Sequence, residues 1–229
     1  MTAVIGDIHG CFFTLNELVN KIRSKYSRIK IYCVGDLVDR GNFSLEVLDF
    51  IREQGIKFTP GNHDYMFYYF IHKPASELGE AWVYNGYEST LDSYNNRFSK
   101  IEEHLNLIIH APIIIDLPDC FISHAGISKY YESKLPKNFL SGTAMLENIL
   151  RSDLDKTHGI LWTRGELLNI GKLQVVGHTR REEVMFDMYR NVVYIDTSAY
   201  SGNKLSAVII DNNKLLEVIS VETKPKDIE

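Results

Sequence analysis

Hydrophobic and polar positions along the first third of the chain alternate between strand-like and helix-like patterns. Residues 2–5, 29–34 and 56–59 are short apolar segments rich in β-branched side chains, and each is followed by glycine or a Pro-Gly pair, so they predict strands. Between them, residues 12–22 and 45–51 carry apolar side chains at helical spacing. This β-α-β-α-β order predicts parallel strands in a layered α/β fold.

The remaining two thirds of the chain combine a helical region with further strands. Residues from about 64 to 110 predict mostly helix, and we interpret their aromatic stripe as helix core rather than a ligand cage. Residues 113–117 and 120–123 predict a hairpin. The segments 173–176, 183–185, 192–195, 205–210 and 215–221 predict a second, more antiparallel sheet. The polar tail after Val221 is expected to fray.

Composition and charge narrow the class of protein. The 229 residues suit a single domain, and 25 Lys and Arg against 30 Asp and Glu give a net charge of −5, which argues against nucleic-acid binding. Three cysteines without a CxxC pair disfavour a disulfide framework. The N-terminus lacks a signal-peptide pattern, and no apolar run approaches the ~20 residues of a membrane span. We therefore expect a soluble, cytoplasmic protein with no membrane partner.

Five glycine-containing motifs carry the chemistry, and each follows a predicted strand. They are Gly6-Asp7-Ile8-His9-Gly10, Gly35-Asp36-Leu37-Val38-Asp39-Arg40-Gly41, Gly61-Asn62-His63-Asp64, Ser123-His124-Ala125-Gly126 and Gly177-His178-Thr179. One Asp-Gly or His-Gly pair is an ordinary turn, but five such turns bearing Asp, Asn and His are not. Ligands collect at the carboxyl ends of strands in open α/β sheets, so the motifs predict one shared site.

In order, spacing and residue type, the motifs resemble those of the calcineurin-like metallophosphoesterases. The match is to the phosphoprotein phosphatase branch, with small bacterial and phage serine/threonine protein phosphatases nearest, and it runs from Asp7 to about Ser206. It implies a four-layer α/β sandwich of two mixed β-sheets flanked by helices. Residues 1–229 would form one domain with a helical insert at about 64–110. Ser198 stands where relatives often carry Gly, for which we expect a local backbone effect only.

The resemblance also implies a centre with two divalent metal ions and assigns its residues. Manganese is the first expectation, with iron or zinc as alternatives that suit the same oxygen and nitrogen ligands. The first metal would bind Asp7 and His9, Asp36 would bridge both metals, and the second metal would bind Asn62, His124 and His178. His63 would act as the general acid, oriented by Asp39, and Arg40 and Arg164 would hold the phosphoryl oxygens.

Reaction energetics favour a metal-dependent mechanism. Phosphate-monoester hydrolysis can need up to ~10²¹-fold acceleration, whereas one general acid contributes only about 10²–10⁴-fold. Metals must therefore supply most of the remaining acceleration. The resemblance implies that they do so through in-line attack by a metal-bridging hydroxide, without a phospho-enzyme. Cys11 is expected to have no covalent role. We interpret the remaining histidines as structural: His72, His104, His110 and His158.

The function implied is a phosphomonoesterase acting on phosphoserine and phosphothreonine in proteins, with phosphotyrosine, phosphohistidine or small phosphate esters as further substrates. The alternative is a symmetrical bis(5'-nucleosyl)-tetraphosphatase, which hydrolyses diadenosine tetraphosphate and belongs to a sister branch. That branch typically carries Ala at the position of Asp39, so Asp39 favours the monoesterase. A non-enzymatic scaffold is disfavoured because all six expected metal-ligand residues are present. A nuclease is disfavoured because the net charge of the chain is negative. The sequence leaves the oligomeric state open.

Overall fold

Ten strands and seven α-helices make up the fold in this computed structural model, which describes residues 1–229 except for the side chain of Ser141. The strands are β1 (Thr2–Ile5), β2 (Lys30–Cys33), β3 (Lys57–Phe58), β4 (Ile114–Asp116), β5 (Phe121–Ser123), β6 (Gln174–Val176), β7 (Met185–Asp187), β8 (Val192–Tyr194), β9 (Lys204–Asp211) and β10 (Lys214–Glu222). The helices are α1 (Phe12–Lys25), α2 (Ser44–Glu53), α3 (Asn62–His72), α4 (Glu77–Trp82), α5 (Glu88–Ser93), α6 (Ile101–Ile109) and α7 (Thr143–Arg151).

The strands form two mixed five-stranded sheets, in the orders β10-β9-β1-β2-β3 and β4-β5-β6-β8-β7. The predicted parallel pairing of the first three strands is confirmed, because β2 pairs parallel with both β1 and β3. The predicted hairpin is also confirmed as the antiparallel pair β4–β5. The sandwich of two mixed sheets flanked by helices is therefore the architecture that the motif resemblance implied.

The prediction of a separate, more antiparallel second sheet from the last third of the chain is wrong. β9 and β10 belong to the first sheet, where β9 pairs antiparallel with β1. β6 pairs parallel with both β5 and β8, and only the edge strands β4 and β7 run antiparallel. A strand buried on both faces, as β9 is, shows a nearly continuous apolar run, which indicates burial but does not identify the neighbouring strand. The segment predicted at 183–185 also begins later, at Met185.

Packing between the sheets follows the alternation of side chains along each strand. In β1, Ala3 and Ile5 contact the helices that cover the outer face of the first sheet, whereas Val4 joins the layer between the sheets. Val208 of β9 and Val175 of β6 lie in that same layer. The two sheets therefore share one apolar interface, which brings the carboxyl ends of β1 and β2 close to those of β5 and β6.

The helices between β3 and β4 pack their aromatic side chains into the main core, which agrees with the interpretation of the stripe as helix core. Phe67, Trp82 and Tyr94 are fully buried, and the ring of Phe67 stacks on Trp82 at 5.1 Å between centroids. Trp82 has a second contact, described below, that links this layer to the site. No helix among the described residues has both the length and the apolar character needed to cross a bilayer.

The C-terminal tail is docked on helix α1, so the prediction that it frays is wrong. Asp227 is completely buried, and its carboxylate accepts hydrogen bonds from Phe13 N at 2.9 Å, Thr14 N at 2.8 Å and Thr14 Oγ1 at 2.6 Å. The carbonyl oxygen of Asp227 also accepts from Asn42 N at 2.8 Å. A polar tail can supply the acceptor that a distant helix N-terminus lacks, and local composition does not reveal this partner.

Replacing Asp227 with Ala is expected to lower the free energy of unfolding by about 1–3 kcal/mol, because the buried N–H of Thr14 and the partly buried N–H of Phe13 lose their acceptor. Chemical denaturation with an unchanged m-value measures this loss. The control Glu229→Ala removes an exposed carboxylate from the same tail and should change stability by less than about 0.5 kcal/mol. Equal stability of the Asp227 variant and the wild type would contradict the capping role.

Candidate active site

The five motifs meet in one cleft at the carboxyl ends of the inner strands. The cleft has a volume of about 230 Å³ and is lined by Asp7, His9, Asp36, Arg40, Asn62, His63, Arg164, His178, Arg180, Asp196 and Tyr200. Backbone hydrogen bonds join the turns directly, with His9 N donating to Asp36 O at 2.8 Å and Gly177 N donating to His124 O at 2.8 Å. The common location that the sequence predicted for the motifs is therefore observed.

Several side chains of the site stand on strained backbone. His9, Asp36, Asp39, Arg40 and His178 all have positive φ, between 46° and 74°, although none is glycine. Such conformations cost about 1–3 kcal/mol each and persist only where the surrounding structure enforces them. Here they turn the chain sharply at the strand ends and direct consecutive polar side chains into the same small volume. Ser198 also has positive φ, at 58°, which is the local backbone effect expected where relatives carry Gly.

Two glycines allow the turns to approach the carboxylates. A Cβ on Gly61 would lie 2.0 Å from Asp36 Oδ1, and a Cβ on Gly177 would lie 1.8 Å from Asp7 Oδ1. No real side chain tolerates such contacts. Next to Gly61, the carboxylate of Asp64 accepts from Gly61 N and Leu37 N, both at 2.8 Å, and so ties the ends of β2 and β3 together.

Four residues proposed for the second metal form one contiguous group. Asn62 Oδ1 lies 3.0 Å from His124 Nε2 and 2.9 Å from His178 Nδ1, and Asp36 Oδ2 lies 3.5 Å from His124 Nε2. His124 is held by Val34 O, which lies 2.9 Å from its Nδ1. Ligand atoms of Asp36, His124 and His178 lie within 4.8 Å of one another, a spacing that one ion could bridge.

Of the three residues proposed for the first metal, only His9 and Asp36 belong to a group of mutually close ligand atoms. The mutually close ligand atoms on this side belong to His9, Asp36 and His63, whereas Asp7 lies at the wall of the cleft. His9 Nε2 lies 2.9 Å from Arg40 Nη1, so a cation at His9 would require Arg40 to release this hydrogen bond. The geometry thus places Asp7, His9 and Asp36 in the same cleft. It also places His63 close enough to His9 and Asp36 to bind the same ion.

The donor set fits divalent cations. Asp7 Oδ1 is buried and lacks a hydrogen-bond partner among the described residues, so this oxygen is available to bind a cation. Burial, with Asp196 and Asp36 nearby, raises the pKa of Asp7 well above its ordinary value. Burial lowers the pKa of His9 and His124, and lowers that of His178 to about 3, which keeps the imidazoles neutral as metal ligands require. Divalent cations bound here would offset the electrostatic repulsion among the carboxylates of Asp7, Asp36 and Asp196.

His63 and Asp39 form the best-defined pair in the site. His63 Nδ1 lies 2.7 Å from Asp39 Oδ2, and Asp39 is completely buried. Asp39 also accepts from Trp82 Nε1, at 2.8 Å to Oδ2, and from Thr90 Oγ1, at 2.7 Å to Oδ1. The carboxylate therefore holds His63 in one orientation, with the other ring nitrogen available to the cleft. Trp82 and Thr90 were not predicted as parts of this network.

The two predicted arginines both line the cleft. The guanidinium of Arg40 lies over the ring of Tyr200, 4.3 Å from its centroid, and Arg40 N donates to Gly86 O at 3.2 Å. Arg164 Nη1 donates to His178 O at 2.9 Å. No carboxylate among the described side chains lies within 4.0 Å of Arg164, so it forms no surface salt bridge with them. Both cations face the volume where a phosphoryl group would bind.

Four histidines and Cys11 lie outside the cleft, in agreement with their structural interpretation. His104 is buried between Tyr94 and Asp49, and the ring of His158 packs on Tyr130 at 3.7 Å between centroids. His72 ends helix α3, nine residues beyond His63, and His110 follows the last residue of α6, and neither lines the cleft. The thiol of Cys11 is buried, and burial raises its pKa, so it is a poor nucleophile.

Three residues of the cleft were not assigned from the sequence. Asp196 is buried, and its Oδ1 accepts from Ser198 N at 2.9 Å. Tyr200 packs edge-on against His9, 4.9 Å between ring centroids, and Arg180 donates to the Tyr200 hydroxyl. Position along the chain is the only property of the sequence that could have indicated them. Arg180 follows the Gly177-His178-Thr179 motif directly, and Asp196 and Tyr200 follow β8.

The sequence model of the calcineurin-like phosphoesterases matches residues 2–194. The chain therefore belongs to the calcineurin-like phosphoesterase family, as the motifs indicated, and is a metal-binding phosphoester hydrolase. In the solved structures, the cold-active protein-tyrosine phosphatase of a Shewanella species has the same fold. It matches with a TM-score of 0.63 and 21% identity over 97% of this chain and 80% of that one.

Relatives of different named activities are similar to the chain to almost the same degree. Serine/threonine-protein phosphatase 1 of Salmonella typhimurium is 29% identical, over 89% of this chain and 88% of that protein. The asymmetrical bis(5'-nucleosyl)-tetraphosphatase PrpE of Anoxybacillus flavithermus is 29% identical, over 90% of this chain and 88% of that protein. The symmetrical bis(5'-nucleosyl)-tetraphosphatase of Pasteurella multocida is 30% identical over 66% of this chain, which spans about half (52%) of that protein.

Replacing Gly177 with Ala is expected to weaken Mn²⁺ binding by about 10–100-fold, because the new methyl group displaces Asp7 Oδ1. Calorimetric titration of the metal-free protein with Mn²⁺ measures the change. Gly142→Ala is the matched control, since among the described side chains other than its chain neighbours the added Cβ meets only Met145 Cβ, at 3.9 Å. If both variants unfold thermally like the wild type and bind Mn²⁺ equally well, Asp7 is not a metal ligand.

Proposed function

We propose that the protein is a phosphomonoesterase that hydrolyses phosphoserine and phosphothreonine in proteins. The observation that carries this proposal is the buried His63–Asp39 pair at 2.7 Å, beside Arg40 and Arg164 in one cleft. Residues 1–229 would act as one domain in the cytoplasm, with residues 64–110 as a helical insert. The expected partners are phosphoproteins or small phosphate esters rather than nucleic acid or membranes.

The side chains divide the work of a monoester hydrolysis between binding and proton transfer. Arg40 and Arg164 bind the phosphoryl oxygens, since planar guanidinium groups match the geometry of a dianionic phosphate. His63 donates a proton to the leaving oxygen, and Asp39 stabilises the charged imidazole from the other side. The cations, when bound, would supply positive charge and lower the pKa of water from 15.7 to about 7.

Two divalent ions, with manganese first and iron or zinc as alternatives, complete the proposal. Asp7 and His9 would hold the first ion, and Asp36 would bridge the two. The second ion would bind Asn62, His124 and His178. The orphaned Asp7 Oδ1 and the contiguous Asn62 group support this assignment.

Dinucleoside tetraphosphate hydrolysis is the second candidate function. It is supported by the tetraphosphatase relatives, which are 30% and 29% identical to the chain, against 29% for the protein phosphatase. The symmetrical tetraphosphatase branch typically carries Ala at the position of Asp39. Here Asp39 is buried among Trp82, Thr90 and His63, and this network favours the monoesterase.

A substrate panel tests the proposal. The Mn²⁺-loaded protein is given a phosphoserine peptide, an aryl phosphate and diadenosine tetraphosphate, and kcat/KM is compared among them. The proposal expects the peptide and the aryl phosphate to be hydrolysed more efficiently than diadenosine tetraphosphate. A preference for diadenosine tetraphosphate reverses the order of the two candidate functions.

Replacing His63 with Asn is expected to lower kcat for the phosphoserine peptide by about 10²–10⁴-fold, the contribution of one general acid. The loss should be smaller for an aryl phosphate with an acidic leaving group, which needs less protonation. Metal content should stay unchanged, as should the activity of the control His110→Asn, an exposed residue outside the cleft. Loss of metal from the His63 variant would instead make His63 a ligand, in line with its proximity to His9 and Asp36.

A further inference from the structure

Arg180 is a third cationic group of the cleft, beyond the two arginines that the proposed mechanism uses. It follows the last motif and is exposed at the rim, where it lines the same cleft as Arg40, Arg164 and His178. The backbone at this point is anchored, because Arg181 N donates to Asp196 O at 2.9 Å. The side chain therefore extends from a fixed base beside the proposed phosphoryl site.

Tyr200 connects Arg180 to Arg40. The Tyr200 hydroxyl accepts a hydrogen bond from Arg180 Nη1, and the guanidinium carbon of Arg180 lies 5.7 Å from the Tyr200 ring centroid. The guanidinium of Arg40 lies 4.3 Å from the same centroid. One aromatic ring thus holds two guanidinium groups next to each other, and both are oriented before any substrate binds.

The positive charge of these arginines is not neutralised by ion pairs. Among the described side chains, no carboxylate lies within 4.0 Å of Arg40, Arg164 or Arg180, whereas four arginines elsewhere have such partners: Arg52, Arg97, Arg151 and Arg190. Asp196 shares the cleft, and its charge interacts with those of Arg40 and Arg180, but it forms no ion pair within 4.0 Å and its Oδ1 accepts from Ser198 N. Two guanidinium groups suffice to bind one phosphoryl group in the bidentate manner, so a third guanidinium in the same cleft is available to a further anionic group of the substrate.

We propose that Arg180 is a specificity-determining residue that binds a second phosphate group of the substrate, adjacent to the phosphate that is hydrolysed. The inference rests on the proposed function of the site and names its substrate class: compounds with two phosphates close together. The cleft is small, so the second phosphate must lie next to the first, whether in a phosphoanhydride or on a neighbouring side chain of a peptide.

Binding of inorganic anions tests the role of Arg180 without catalysis. Phosphate and pyrophosphate are titrated into wild-type protein and Arg180→Gln at the same Mn²⁺ concentration, so that chelation affects both proteins equally. We expect the variant to weaken pyrophosphate binding about tenfold, as for one charge-assisted hydrogen bond, and to affect phosphate binding much less. Equal changes for the two anions, or no change, would overturn the proposal.

Kinetics then identify the source of the second phosphate. KM of the wild type and of Arg180→Gln is compared for four substrates. They are an aryl phosphate, diadenosine tetraphosphate, a peptide with one phosphoserine and the same peptide with two adjacent phosphoserines. The rise in KM should be several times larger for a two-phosphate substrate than for the aryl phosphate, and Arg180→Lys should restore only part of the affinity because it lacks the planar fork. A rise for the nucleotide alone or for the doubly phosphorylated peptide alone identifies the source.

The control Arg28→Gln removes the same charge from an exposed residue just before β2, at the opposite end of that strand from the cleft. It should leave every binding constant unchanged. A wild-type protein that binds pyrophosphate through Arg180 but hydrolyses no substrate of the panel would refute the proposed function and leave the role of Arg180 intact. A protein that hydrolyses the aryl phosphate with no dependence on Arg180 would refute only the role of Arg180.

Discussion

The close packing of the strand-end turns is the constraint on which the rest of this structure depends. Gly61 and Gly177 lie so near the carboxylates of Asp36 and Asp7 that no Cβ could be accommodated at either position. The turns also hold non-glycine residues, such as His9 and Asp36, at positive φ. This strain is sustained by the two sheets, whose shared apolar interface fixes the strands from which the turns project.

Elements remote in sequence stabilise these turns from outside. The helical region between β3 and β4 contributes Trp82 and Thr90, which bind the carboxylate of Asp39, and Gly86 O, which binds the backbone of Arg40. The C-terminal tail caps α1 through Asp227 and holds Asn42 beside the same turn. The site is thus a product of the whole chain, and segments that look peripheral in sequence are part of its support.

Local charge, rather than net charge, determines what the cleft attracts. The chain carries a net charge of −5, yet Arg40, Arg164 and Arg180 face one cleft without ion-pair partners among the described side chains. The buried carboxylates of the same cleft repel one another, and burial makes their charged forms costly, so divalent cations would stabilise the arrangement. An acidic protein can therefore bind a dianionic substrate, because the field in a cleft depends on its own lining.

The sequence by itself determined the parallel strand-helix order of the first third, the hairpin β4–β5 and the five motifs, because periodicity and turn chemistry are local properties. It could not determine that β9 joins β1 or that Asp227 caps α1, because both depend on partners far away in the chain. Only the tertiary structure brought Arg180 and Tyr200 into the cleft and gave Trp82 a polar partner. Pairing between distant segments is decided by the packing of the complete chain, and local patterns do not record it.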